Sequence, residues 1–156
     1  MGLDAAGKTT MAYMLQPEQP LPPRFGFHVE SFDYENLSFT VWDPATNDRL
    51  VAFRRQHYKG VQGIVFVADS CDRERLGEAS EELQELLRHE ELHDVPLLVF
   101  ANKQDLSRAM TCEEVSQALR LQELSRPWFA QGSCACRKEG LQEGLDWLVR
   151  AVLRGA

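Results

Sequence analysis

The chain has 156 residues, 44% hydrophobic and 26% charged, a balance that suits one domain, residues 1–156, with a sizeable core. Its net charge of −7 excludes the basic footprint of a nucleic-acid binder, and no apolar run approaches the roughly 18 residues of a bilayer span. The four cysteines, Cys71, Cys112, Cys134 and Cys136, lack the spacing of a disulfide framework and predict a reducing, cytosolic setting; the C-x-C pair has no histidine beside it and does not read as a metal site.

The chain opens "MGLDAAGKTT", in which residues 2–9 carry the pattern G-x-x-x-x-G-K-[ST] with only Met1 in front. In "KTTMAYMLQ", Met11, Met14 and Leu15 stand at helical spacing. The next segment, "PEQPLPPRFG", holds four of the seven prolines, which predicts a stiff connector and neither a helix nor a central strand. "FHVESF" and "LSFTVWD" alternate on either side of "DYEN" and predict a β-hairpin. "GIVFVAD" (63–69) and "VPLLVFAN" (95–102) are near-continuous apolar runs, the pattern of parallel strands covered on both faces.

Between those runs, "RERLGEASEELQELLRHEE" sets Leu76, Ala79, Leu83, Leu86 and Leu87 at helical spacing and turns an acidic face to solvent. "TCEEVSQALRLQEL" predicts a second helix, with Thr111 as N-cap and Glu114 completing a capping box. "WFAQGS" reads as a last short strand and "LQEGLDWLVRAVLR" as the closing helix. Strands alternating with helices predict an α/β chain, a three-layer doubly wound fold on a mostly parallel sheet.

The opening pattern carries chemistry. Phosphates are densely anionic, and a glycine-rich turn at a helix N-terminus lets successive backbone N–H groups converge on them. Gly2 and Gly7 permit the turn, Asp4, Ala5 and Ala6 span it, and Thr10 follows it into the helix. Lys8 reaches β- and γ-phosphates, and the Thr9 hydroxyl ligates Mg²⁺. The base is read by "NKQD", Asn102, Lys103 and Asp105, placed just after an apolar strand. The Asp105 carboxylate can accept both the N1–H and the exocyclic amino group of guanine. Adenine offers no such donor pair, so GTP and GDP are the expected ligands and a P-loop kinase or ATPase is disfavoured.

On these residues the chain resembles the ADP-ribosylation factor (Arf and Arf-like) family of small GTPases. The resemblance runs through "GLDAAGKTT", "GFHVESFDYENLSFTVWD", "GIVFVADSCDRERL", "ANKQDL" and "SCACRKEGLQEGLDWL". It implies the small G-protein version of the P-loop NTPase fold, a six-stranded sheet ringed by helices, with switch segments around 20–30 and 43–60. It also implies a base-supporting loop at "SCA", with Cys134 and with an Ala135 N–H directed at the guanine O6. A hairpin that shifts register between nucleotide states is implied too, and such shifts proceed in two-residue steps because a one-residue slip inverts every face. Partners implied are effectors, exchange factors and GTPase-activating proteins. Phe27 and Trp42 match two of the three aromatics that bind effectors, with His57 at the third place; a plain core or surface role for them is equally open.

The chain departs from the family pattern in four places. The switch threonine of "PTIGF" is Arg24 in "PRFGF"; arginine cannot ligate a cation, and would pair with a phosphate or point into solvent. The family's "DVGGQ" reads "DPATN": Asp43 remains as an indirect Mg²⁺ partner, while Pro44, Ala45 and Thr46 replace more permissive residues. Asn47 stands where a glutamine orients the attacking water, its amide retracted by ~1.5 Å. A misplacement of that order can cost on the order of a hundredfold, so weak hydrolysis is expected. Lastly, neither an amphipathic helix nor residues for the first strand precede the loop. Met1-Gly2 does not form a myristoylation signal, because the sixth residue is Ala6, so no direct membrane anchor is expected in this form.

Two functions follow. One is a guanine-nucleotide-binding switch or adaptor in intracellular, vesicle-mediated transport, cytoplasmic and peripheral to Golgi or other endomembranes by resemblance. The other is a degenerate or truncated relative that no longer binds nucleotide and serves as a protein-interaction module.

Overall fold

The computed structural model describes residues 1–15, 29–35, 37–42 and 55–155, with the side chains of 29–32, 41 and 42 left undescribed. Helix α1 is Lys8–Leu15; β1 (Val29–Tyr34) and β2 (Leu37–Trp42) form an antiparallel hairpin. Strands β3 (Ile64–Asp69), β4 (Leu97–Asn102) and β5 (Trp128–Gly132) form a parallel sheet in the order β3-β4-β5. Helices α2 (Leu76–Leu87), α3 (Cys112–Ala118) and α4 (Leu141–Gly155) complete the fold.

The expected three layers are present. Because side chains alternate along a strand, Ile64, Phe66 and Ala68 of β3 and Leu97, Val99 and Ala101 of β4 face one way. They pack against α2 through Leu76, Leu83 and Leu87 and against α3 through Val115. Val67, Leu98 and Phe100 face the other way, onto Met11 of α1 and onto Leu141, Leu145, Leu148 and Val152 of α4. All six residues of β4 are buried, as its apolar run predicts for the middle strand.

Local signals set the ends of the elements. Thr111 Oγ1 accepts from the Glu114 N–H and Glu114 Oε2 from the Thr111 N–H, so the capping box forms as read. The predicted helix is shorter than its sequence pattern, since Arg120 takes a left-handed φ of 56° and splits off a short 3₁₀ turn over Leu121–Glu123. Arg126, which no local pattern marks, donates to the carbonyls of Leu87, Leu92 and Val95 and thereby ties the end of α2 to the approach to β4. The hairpin loop is also tighter than "DYEN" suggests: Tyr34 pairs with Leu37, and the Tyr34 hydroxyl donates to Asp146 of α4 at 2.8 Å. Burial, and then that bond, hold the Tyr34 hydroxyl pKa up at about 12.

The six-stranded sheet implied by the resemblance is not formed by the described residues, which contain five strands in two sheets. The Met1 ammonium donates to Val65 C=O at 2.9 Å, and the Val67 N–H donates to Met1 C=O at 2.9 Å. Those two bonds are one rung of a parallel ladder, laid on the edge of β3 that faces away from β4. A single rung does not join the hairpin to the parallel sheet. A cavity of about 350 Å³ lies between them, bordered by Met1, Leu37, Phe39, Val65, Val67 and Leu148 among others.

Candidate nucleotide site

The opening loop owes its shape to three residues at positive φ: Gly2 at 129°, Ala5 at 58° and Gly7 at 102°. At two of them a side chain has no room. A Cβ on Gly2 would stand 2.1 Å from the Val67 carbonyl oxygen, and one on Gly7 would stand 2.3 Å from Asn102 Nδ2. The loop is thus pressed onto the C-terminal halves of β3 and β4, where open α/β sheets place their ligands. Lys8 is buried and its Nζ donates to the Gly2 and Leu3 carbonyls, at 2.8 Å and 2.5 Å. The first α1 bond runs from Met11 N–H to Gly7 C=O, so the amides of Thr9 and Thr10 precede the helical ladder and both side chains are exposed.

Asn102 connects this loop to the base-reading side. Only 2% exposed, it donates from Nδ2 to Ala6 C=O at 2.9 Å. Its Oδ1 accepts from the Ala135 N–H at 3.0 Å and from Ser133 Oγ at 3.3 Å. One buried amide therefore spans the phosphate loop, the end of β4 and the loop after β5. The Ala135 N–H assigned to guanine O6 by resemblance is here directed at Asn102, so a base contact there requires that bond to be shared.

Around this strut, Lys103 adopts φ 67° and its Nζ contacts Asp69 Oδ2 at 2.6 Å, linking the ends of β3 and β4. Gln104 donates through Nε2 to Ser70 Oγ and Met110 C=O, and its N–H bonds Ser133 C=O. Asp105 is left exposed beside buried Cys134. Burial, then contacts with Cys136 and Asp105, push the Cys134 thiol up to about 11.

Sequence reading missed a second clamp. Arg75 bonds Asp72 through Nε and Asp4 through Nη1, each at 2.7 Å, and so draws the rim of the phosphate loop toward the start of α2. The Arg75 guanidinium holds the Asp72 carboxyl below its ordinary pKa. Two charged residues spaced three apart in "CDRERL" were the only signal, and they do not reveal Asp4 as a third member.

The structure brings together the loop residues 2–10, Asn102, Lys103, Asp105, Cys134 and Ala135. Arg24, Phe27, Asp43 and Asn47 lie outside the described residues, as do most of the two switch segments and the proline-rich connector. Trp42 is placed in β2 by its backbone alone, and His57 is exposed. The cavity of about 350 Å³ lies beside β3 and not at the loop, and the site is located by its backbone geometry.

A doubly wound sheet, a glycine loop folded over its strand ends and an N-K-x-D segment bonded to that loop define the class of P-loop small GTPases. The chain belongs to the ADP-ribosylation factor family, whose family model matches residues 1–152. Among solved structures it is similar to the small GTPase Arl6 (BBS3) of Trypanosoma brucei with a bound nucleotide analogue, GppNp. The two are 32% identical with a TM-score of 0.85, over 99% of this chain and 95% of that one.

Proposed function

We propose that this chain binds GTP and GDP, with Mg²⁺, as an Arf-like regulatory protein with weak or absent hydrolysis. The observation that carries the reading is the Asn102 amide, which holds the Ala6 and Ala135 backbones in one rigid unit and leaves Asp105 open beside them. The cradle fits a phosphate chain: two glycines are packed too closely for a Cβ, and Thr9 is exposed at the start of α1. Lys8 and Thr9 would hold the phosphates and the cation, and Asp105 the guanine. The cation would neutralise phosphate charge; every other contact comes from the chain itself.

Slow turnover is motivated by Asn47 and Arg24, residue types that position water and ligate Mg²⁺ poorly. The role in vesicle-mediated transport, effector, exchange-factor and GTPase-activating partners at the switch and hairpin surface, and a cytoplasmic, endomembrane-peripheral location are carried by family membership alone. Among the described residues no helix is long and apolar enough to cross a membrane.

A second reading is an interaction module without nucleotide, motivated by Arg24 and Asn47, residue types that ligate Mg²⁺ and position water poorly. A thermal-shift series separates the two. GTP or GDP at a hundred times its dissociation constant should stabilise the fold by ~2.7 kcal/mol, with no response to ATP and with little phosphate released from GTP. An unchanged melting temperature with all three nucleotides, at concentrations up to millimolar, would leave the module reading in place of the switch.

A further inference from the structure

We propose that Asp105, Cys134 and Cys136 form a binding site for a thiophilic divalent cation of the Zn²⁺ type. One ligand atom from each of the three lies within 4.8 Å of the others, and the two sulfurs are 3.1 Å apart. In a tetrahedral zinc site with Zn–S bonds of ~2.3 Å, ligand atoms stand roughly 3.5–4 Å from one another, so small side-chain adjustments suffice. The sequence alone gave a C-x-C pair and no third ligand. The fold supplies it from the loop after β4, because parallel pairing of β4 and β5 brings the two following loops side by side.

The backbone holds these donors in place before any ion arrives. The Cys134 N–H donates to Glu139 C=O, and the Cys134 carbonyl accepts from Arg137 and Glu139. Lys138 at φ 60° closes the turn that carries Cys136. On the other side, the Gln104 N–H, one residue before Asp105, is bonded to Ser133 C=O. Lys103, the cation nearest in sequence to Asp105, is engaged by Asp69. Two thiolates and one carboxylate suit zinc-like ions over Mg²⁺ or Ca²⁺, which prefer all-oxygen shells. Cys134 is buried while Cys136 and Asp105 are exposed, so the fourth position opens to solvent, where water or a partner's side chain completes the set.

A corollary rests on the nucleotide reading above. Asp105 cannot ligate the cation and accept the guanine donors at once, so metal and guanine nucleotide should exclude one another.

The test uses the full chain, reduced and metal-free, titrated with Co²⁺ alone and then with Zn²⁺. The expected result is a sulfur-to-cobalt charge-transfer band with visible bands of tetrahedral intensity, saturating at one ion per chain and abolished by Zn²⁺. Cys136→Ser, an exposed substitution that leaves the fold intact, should weaken binding at least ~100-fold, whereas Cys112→Ser should not change it. Absence of the charge-transfer band, or equal affinity in Cys136→Ser, overturns the site. Excess GDP should raise the apparent dissociation constant for Co²⁺. If the bands form and GDP has no effect while still shifting the melting temperature, the corollary falls and the metal site stands. If GDP produces no thermal shift either, the nucleotide reading is what has failed.

Discussion

Replacing Asn102 by alanine is expected to lower stability by about 3 kcal/mol, roughly 1 kcal/mol for each of three bonds removed. The side chain is buried and serves Ala6, Ser133 and Ala135 together, so no water-exposed group takes over. For a domain of this size that corresponds to a fall of about 6–12 °C in melting temperature. Because the same amide fixes the phosphate loop relative to the base loop, guanine-nucleotide affinity should fall at least ~10-fold as well. Asn102→Asp should also fail, since a carboxylate would turn an oxygen toward Ala6 C=O. Scanning calorimetry and nucleotide titration of both variants check this; unchanged melting and affinity in Asn102→Ala would rule the strut out.

The second large effect is expected from Gly2→Ala. At φ 129° an alanine is strained by about 1–3 kcal/mol wherever it is placed. Here its Cβ would also meet the Val67 carbonyl oxygen at 2.1 Å, a backbone atom that cannot turn aside. Relief requires the loop to lift from β3, which breaks the rung between Met1 and Val67. The combined loss should exceed about 3 kcal/mol. Gly77→Ala is the control: its Cβ would meet nothing within 4 Å in the first turn of α2, so it should be neutral or stabilising by up to ~1 kcal/mol. Chemical denaturation of the two variants compares them directly, and an unaltered midpoint for Gly2→Ala would contradict the close approach.

Much of the architecture was legible because it is written in short-range patterns. The runs at 63–69 and 95–102 are apolar at nearly every position, which only strands buried on both faces require. The Thr111 and Glu114 bonds span three residues and follow from sequence alone. The site was legible as motifs but not as a network. "NKQD" identifies Asn102, yet its partners lie 96 and 33 residues away, and no local pattern encodes them. Likewise Arg75 reads as a helix-start arginine until the fold brings Asp4 to it, and Arg126 reads as a loop residue until three carbonyls converge on it. The helix after Thr111 was overextended because a leucine-rich continuation hides the left-handed turn at Arg120. Arg24 and Asn47 lie outside the described residues; arginine offers no acceptor to a cation, and asparagine is one carbon shorter than glutamine.

The separation of the described strands into two sheets also divides the described residues by cooperativity. Strand β4 is paired on both edges and covered on both faces, so its amides should exchange with solvent only through global unfolding. Among the described residues the hairpin shares no ladder with β3, β4 and β5, and the Tyr34–Asp146 bond and the packing of Tyr34, Leu37 and Phe39 are among the contacts that tie it to them. It should therefore open as a separate unit at lower free energy, with β1 and β2 amides exchanging measurably faster than those of β4. A hairpin that detaches without unfolding the rest can respond to a partner while the nucleotide junction at Asn102 stays whole.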